Sequence, residues 1–222
     1  MSDHPSVRPY HRRDRDGVAD VCVRTADNGG DSRHLYPDRQ LMPTLFAAPY
    51  CHFDPGLAFV LDDGRGGVGG YIVGTADTER FVRDWRDRWL PLVGDRYPPL
   101  ERPPRTPTEE MIALLHRPER MILPELRPYP AHLHIDLLPE WQRRGYGRRL
   151  MHTFLAALHE RGVPAVHLGM VTANTAARAF YDRLGFHPIE VPDPGPLTYL
   201  GRSTQADAAE ADAGGASAGR AG

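Results

Sequence analysis

The sequence predicts a mixed α/β fold, a central sheet flanked by helices, with a helical segment inserted between the third and fourth strands. Three observations carry this. A short apolar run, Leu133 to Leu138, is followed by Gln142-Arg143-Arg144-Gly145-Tyr146-Gly147 and then by a long helical pattern from Arg148; strand, tight turn and helix in that order build α/β sheets. Ahead of this unit the chain opens with a strand, two helical patterns and a hairpin. Behind it, the β-prone run Val163 to Val171 leads into a further helix starting at Asn174.

Taken in order, Val7 to Tyr10 reads as a short edge strand, and Asp14 as the cap of a helix with Val18, Val21 and Cys22 on one face. Asn28-Gly29-Gly30 ends it. A second helix, about Asp38 to Ala47, carries Leu41, Leu45 and Phe46, with Pro43 forcing a late start or a bend. Leu57 to Leu61 and Val68 to Thr75 flank Asp62-Asp63-Gly64-Arg65-Gly66-Gly67 as a hairpin, leaving one sheet face to pack on helices and the other partly open. In the insertion, 78–129, Phe81, Val82, Trp85 and Trp89 recur at helical spacing, and Thr108 reads as the cap of a helix burying Met111, Ile112, Leu114 and Leu115. The tryptophans read first as packing, and second as walls of an acceptor pocket. After the glycine stretch, Arg148 to Arg161 presents Leu150, Met151, Phe154, Leu155 and Leu158 on one face, closed by Gly162; Gly185 ends the Asn174 helix, and Leu197 to Leu200 reads as a last strand.

At 222 residues the chain suits one domain, expected over 1–202, with the Ala/Gly-rich stretch 203–222 as a flexible tail. A formal net charge of −2 gives no basic field to draw nucleic acid. All 27 basic side chains are arginine, so the chain offers no side-chain amine for its own modification. Cys22 and Cys51 lie far apart without metal spacing, which suits free thiols in a reducing compartment. No apolar run is of membrane-spanning length and the first residues lack a signal-peptide core, so the expected place is the cytoplasm.

The glycine stretch is the candidate binding element. Glycines let the backbone turn tightly and bring its N–H groups close to an anion, and the following helix adds unpaired amides and the positive end of its dipole. A nucleotide P-loop needs Lys and Ser or Thr after the last glycine, where Arg148 and Arg149 stand; a dinucleotide fingerprint needs glycine where Leu150 stands. What remains, Q/R-x-x-G-x-G/A, resembles the GNAT acetyltransferases, whose loop holds the pyrophosphate of acetyl-coenzyme A. The resemblance implies cofactor contacts from Gln142, Arg143, Arg144, Gly145, Tyr146, Gly147 and Arg148.

On the strand before the loop, alternation places His132, His134 and Asp136 on one face and Leu133, Ile135 and Leu137 on the other. Asp136 or His134 is positioned as a base, with His132 behind them, and the strand amides near Leu137 and Leu138 as donors to a thioester oxygen. A shared zinc on His132 and His134 is the rival reading of that pair; no metal is expected. The segment Asn174-Thr175-Ala176-Ala177-Arg178-Ala179-Phe180-Tyr181-Asp182-Arg183-Leu184-Gly185-Phe186 is similar to the GNAT pattern N-x-x-A-x-x-F/L-Y-x-x-x-G-F. This implies that Asn174, Ala177 and Tyr181 approach the cofactor, with Tyr181 the acid for the departing thiolate.

A narrower resemblance runs from Val7 to about Arg202. Arg8-Pro9-Tyr10, Gly69-Gly70-Tyr71-Ile72-Val73-Gly74-Thr75-Ala76-Asp77, Trp89-Leu90-Pro91, Ile122-Leu123-Pro124-Glu125 and Ile135-Asp136 resemble the acetyltransferase-like C-terminal domain of animal O-GlcNAcase, implying kinship with its free-standing bacterial relatives. Together these imply acetyl transfer from acetyl-CoA to an amine, directly, in a ternary complex. The alternative is a catalytically silent acyl-CoA-binding or scaffold module. The acceptor amine and the oligomeric state are not encoded in any spacing; an acidic pocket from Asp77, Asp84 and Asp136 would favour a polyamine or aminoglycoside.

Overall fold

The computed structural model describes residues 4–205. Seven strands, β1 (Ser6–Pro9), β2 (Ala58–Asp62), β3 (Val68–Thr75), β4 (Ala131–Leu137), β5 (Ala165–Val171), β6 (His187–Ile189) and β7 (Leu197–Ser203), form one sheet in the order β1-β2-β3-β4-β5-β7-β6. Every neighbouring pair is antiparallel except β4 and β5. That parallel pair is matched only at Ala131↔Val166 and His132↔His167. Beyond it β4 stays laddered to β3 as far as Leu137, and β5 to β7 as far as Val171. The sheet therefore opens between β4 and β5 at their C-terminal ends, beside the glycine loop. Of the expected tail, Ser203 completes β7 and 206–222 lie outside the described residues.

Eight α-helices accompany the sheet: α1 (Arg15–Thr25), α2 (Leu41–Phe46), α3 (Ala48–Phe53), α4 (Thr78–Asp84), α5 (Leu90–Val93), α6 (Pro107–Leu115), α7 (Tyr146–Glu160) and α8 (Thr175–Asp182). Asp14 precedes α1 without capping it, because its carboxylate is held by Arg8 and the His11 amide. Pro43 sits in the first turn of α2, where its missing N–H costs nothing. The cap of α6 is Thr106, which accepts from the Glu109 N–H at 3.2 Å, and not Thr108. A π-helical turn, Trp85–Trp89, joins α4 to α5. Both tryptophans are buried, their indole N–H groups donating to the carbonyls of Leu115 and Thr44. They are core residues; the pocket-wall reading is withdrawn.

Two apolar layers sandwich the sheet. Val18, Leu41, Tyr50, Tyr71, Phe81 and Trp85 pack on one face, and Leu133, Leu150, Phe154, Leu158, Val166 and Leu200 on the other. Both faces are thus covered, in place of the half-open sheet expected from the hairpin. The second layer follows from α7, whose five predicted apolar residues are all buried; each such side chain contributes about 1.5–3 kcal/mol. Cys22 is buried and Cys51 half-buried, both free. No helix of the described residues is long and apolar enough to cross a membrane.

Candidate active site

After β4 the chain makes a short 3-10 turn, Pro139–Trp141, and then the loop. Gln142 donates its side-chain amide to the Leu137 carbonyl at 2.9 Å, tying the loop back to the end of the strand. Arg143 adopts φ 56° and Gly145 φ 83°. A left-handed non-glycine residue costs about 1–2 kcal/mol, so the fold holds Arg143 against its preference to complete the curl. The first intrahelical bond of α7 runs from the Arg149 N–H to the Gly145 carbonyl. Consequently, among the described residues none accepts from the backbone N–H groups of Arg143, Arg144, Gly145, Tyr146, Gly147 or Arg148. Six consecutive donors, at the positive end of a 15-residue helix, make an anion cradle. Arg144 and Arg149 lie over the rings of Trp141 and Tyr146 at 5.9 and 5.7 Å, which leaves the main chain exposed between them.

The donors predicted on β4 divide. The Leu138 N–H donates to the Gly69 carbonyl at 3.0 Å, so it is spent within the sheet and is struck from the candidate donors. Because an antiparallel strand alternates its amides between its two neighbours, the Leu137 N–H turns the other way, into the opening between β4 and β5.

His132, His134 and Asp136 do share a face, and a tyrosine from α3 binds two of them. The Tyr50 hydroxyl lies 2.9 Å from His132 Nε2 and 3.1 Å from His134 Nε2. Thr78 Oγ1 lies 2.8 Å from His132 Nδ1 and donates to the Pro130 carbonyl at 2.8 Å. A carbonyl accepts only, so the threonine proton is committed there and the other protons follow: His132 Nδ1–H donates to Thr78, Tyr50 O–H to His132 Nε2, and His134 Nε2–H to Tyr50. His134 then carries its lone pair on Nδ1. His132 has both nitrogens engaged and is structural. The zinc arrangement needed a free nitrogen from each histidine, and His132 has none. Asp136 accepts from the Tyr71 hydroxyl at 2.6 Å, and burial raises its carboxyl above the usual range against that donor's opposition.

Tyr181 is 8% exposed and stacks edge-on with Phe180 and Phe186. No described residue bonds its hydroxyl, yet no fully buried side-chain oxygen among the described residues lacks a partner. The hydroxyl therefore opens on accessible space. Burial and, second, the charge of Asp136 push its pKa well above the ordinary phenol value. Asn174 Oδ1 accepts from the Ala177 N–H at 3.0 Å, capping α8. That bond uses up the Ala177 amide as a donor to any ligand and leaves Asn174 only its NH2 group.

Residues 31–186 match the acetyltransferase (GNAT) family. The chain belongs to the GNAT acetyltransferases. Its structure aligns with the crystal structure of SsHAT at 67% identity and a TM-score of 0.89, covering 91% of this chain and all of that one. Mouse (Mus musculus) protein O-GlcNAcase is 25% identical over 203 residues, which is 89% of this GNAT chain but only 22% of the mouse protein. A 49-residue stretch is 41% identical to the [ribosomal protein bS18]-alanine N-acetyltransferase of Escherichia coli K12, covering 22% of this chain and 33% of that enzyme.

Two partners of the predicted residues escaped the sequence reading: Tyr50, bonded to His132 and His134, and Tyr71, bonded to Asp136. The acidic pocket does not form. Asp77 caps α4, Asp84 is paired with Arg80 and Arg88, and Asp136 is bonded to Tyr71. A cavity of about 340 Å³, bounded by Thr78, Met121, Leu126, Tyr129 and His167, lies toward the paired end of β4 and β5, away from the loop.

The buried histidines contribute to the acid response of the fold. Burial and the charge of Arg120 lower His134 from 6.5 to about 4, and burial first of all lowers His132 and His167 as well. The unfolded chain takes up protons that the folded one refuses, so this contribution is complete above pH 6.5 and is lost as pH falls toward 4. Asp136, raised by burial, acts in the opposite sense at the low end. For His134 the loss is about 3 kcal/mol over the window. Urea titrations at pH 7, 5.5 and 4.5 are expected to show stability falling throughout, with His134→Gln flattening the slope; an unchanged slope would place the proton uptake elsewhere.

Proposed function

We propose that this protein transfers the acetyl group of acetyl-CoA to an amine, directly, in a ternary complex. The observation that carries the reading is the run of six unpartnered amides from Arg143 to Arg148 at the mouth of the opening between β4 and β5. A pyrophosphate fits those donors, and a linear arm fits a gap between two strands whose edges are not laddered to each other. Acetyl-CoA supplies an activated acetyl thioester when bound. The Leu137 N–H faces the gap and serves as the donor for the acetyl oxygen. Asp136, its affinity for a proton raised by burial, takes the proton from the attacking ammonium; His134 lies one pleat further from the loop. Tyr181 holds its proton at neutral pH and delivers it to the departing sulfur.

The test is thiol release from acetyl-CoA across a panel of amines, paired with calorimetry of acetyl-CoA binding. Binding in the micromolar range with release accelerated by at least one amine class is expected. Absence of binding sinks the reading. Tight binding with no acceleration by any amine replaces it with the silent acyl-CoA module.

A further inference from the structure

The face that carries His134 and Asp136 continues across the opening. His132 and His167 are register partners with rings 5.6 Å apart, so Gly169 and Val171, two and four residues on, share their side of the sheet. Both are exposed, Val171 at 40%. The Tyr199 ring of β7 lies over Gly169. From above, the 3-10 turn Pro118–Met121 brings in Arg120, within electrostatic reach of Tyr50, His134 and Tyr199.

Arg120 differs from the other described arginines. Each of those is exposed, paired with a carboxylate, or, for Arg202, bonded to backbone carbonyls. Arg120 is half-buried, and its one recorded bond is a long 3.4 Å contact from Nη1 to the Arg117 carbonyl. Its neighbour Glu119 is committed to Arg86, and no described carboxylate forms an ion pair with Arg120. A half-buried cation without a counter-charge is costly, and the cost is offset where a ligand brings the anion. The same charge disfavours a polycation in this groove.

We infer that Arg120 is the acceptor-specificity residue and that the acceptor is an amine that also carries a carboxylate, which Arg120 holds. The inference rests on the acetyl-transfer reading above and narrows its substrate class.

The probe is a set of N-acetyl amino acids (glycine, leucine, phenylalanine, glutamate) and the N-acetyl amines that lack the carboxylate. Each is titrated by calorimetry into CoA-saturated protein. At least one acid is expected to bind tenfold or more tighter than its decarboxylated counterpart. Arg120→Gln is expected to erase that preference without changing the affinity for CoA, and Arg120→Lys to keep part of it. Equal binding of acids and neutral amides by the wild type, or a preference that survives in Arg120→Gln, overturns the assignment. Titrations without CoA separate the two proposals: acid preference in a protein that does not bind CoA retains the carboxylate site and removes the acetyl donor.

Discussion

Gly145→Asp is expected to weaken acetyl-CoA binding by about 100-fold while leaving the fold intact. Gly145 stands at φ 83°, and a Cβ built there meets nothing within 4 Å, so the side chain itself has room. Among non-glycine residues Asp is one of the two that tolerate the left-handed region best, which keeps the conformational cost to about 1–2 kcal/mol. Part of that returns as a favourable charge at the start of α7. The new carboxylate competes for the same amides that the pyrophosphate needs. Two like charges about 5 Å apart at an effective dielectric near 20 repel by about 3 kcal/mol, or roughly two decades in affinity. Calorimetry gives the affinity and urea unfolding the stability. An unaltered dissociation constant in a folded variant would move the phosphates away from the loop and remove the basis of the functional assignment.

The neighbouring glycine shows what the sequence could and could not disclose. Gln142 to Gly147 was legible as an anion loop because local chemistry defines it: glycines, an adjoining strand and a helical period. Its two glycines look alike in the sequence, yet they serve different ends. Gly145 supplies the left-handed turn, whereas Gly147 is already in the first turn of α7, and a Cβ there would come within 3.2 Å of the Phe180 ring. Only the folded chain tells them apart, and α7 begins at Tyr146, two residues before the expected Arg148.

The shared face of His132, His134 and Asp136 was legible because strand alternation is a rule of adjacent residues. Their partners were not. Tyr50 bonds histidines 82 and 84 positions away, and Tyr71 bonds a carboxylate 65 positions away. Tyr50 also sits on α3, six residues holding a proline, too short for a helical period to register. Arg120 had no signal at all in a chain whose basic residues are all arginine. Its distinction is the absence of a carboxylate partner, which exists only once the chain is folded.

Tyr181→Phe is expected to lower kcat by 10²–10⁴ with little change in acetyl-CoA affinity. The ring contacts to Phe180 and Phe186, at 5.2 and 5.5 Å, do not involve the hydroxyl and persist in the variant. The hydroxyl has no partner among the described residues, so removing it leaves no buried group stranded and stability should hold. What is lost is a proton donor, and positioned acids contribute this much to rate. The pH profile separates an acid from a wall. Because burial and the charge of Asp136 raise the Tyr181 pKa, the hydroxyl keeps its proton through the range where a free phenol would begin to release it. The wild-type rate should therefore not fall between pH 8 and 10 through loss of the acid. Unchanged kcat with weakened binding in the phenylalanine variant would make Tyr181 part of the wall of the opening, and the proton for sulfur would have to come from solvent.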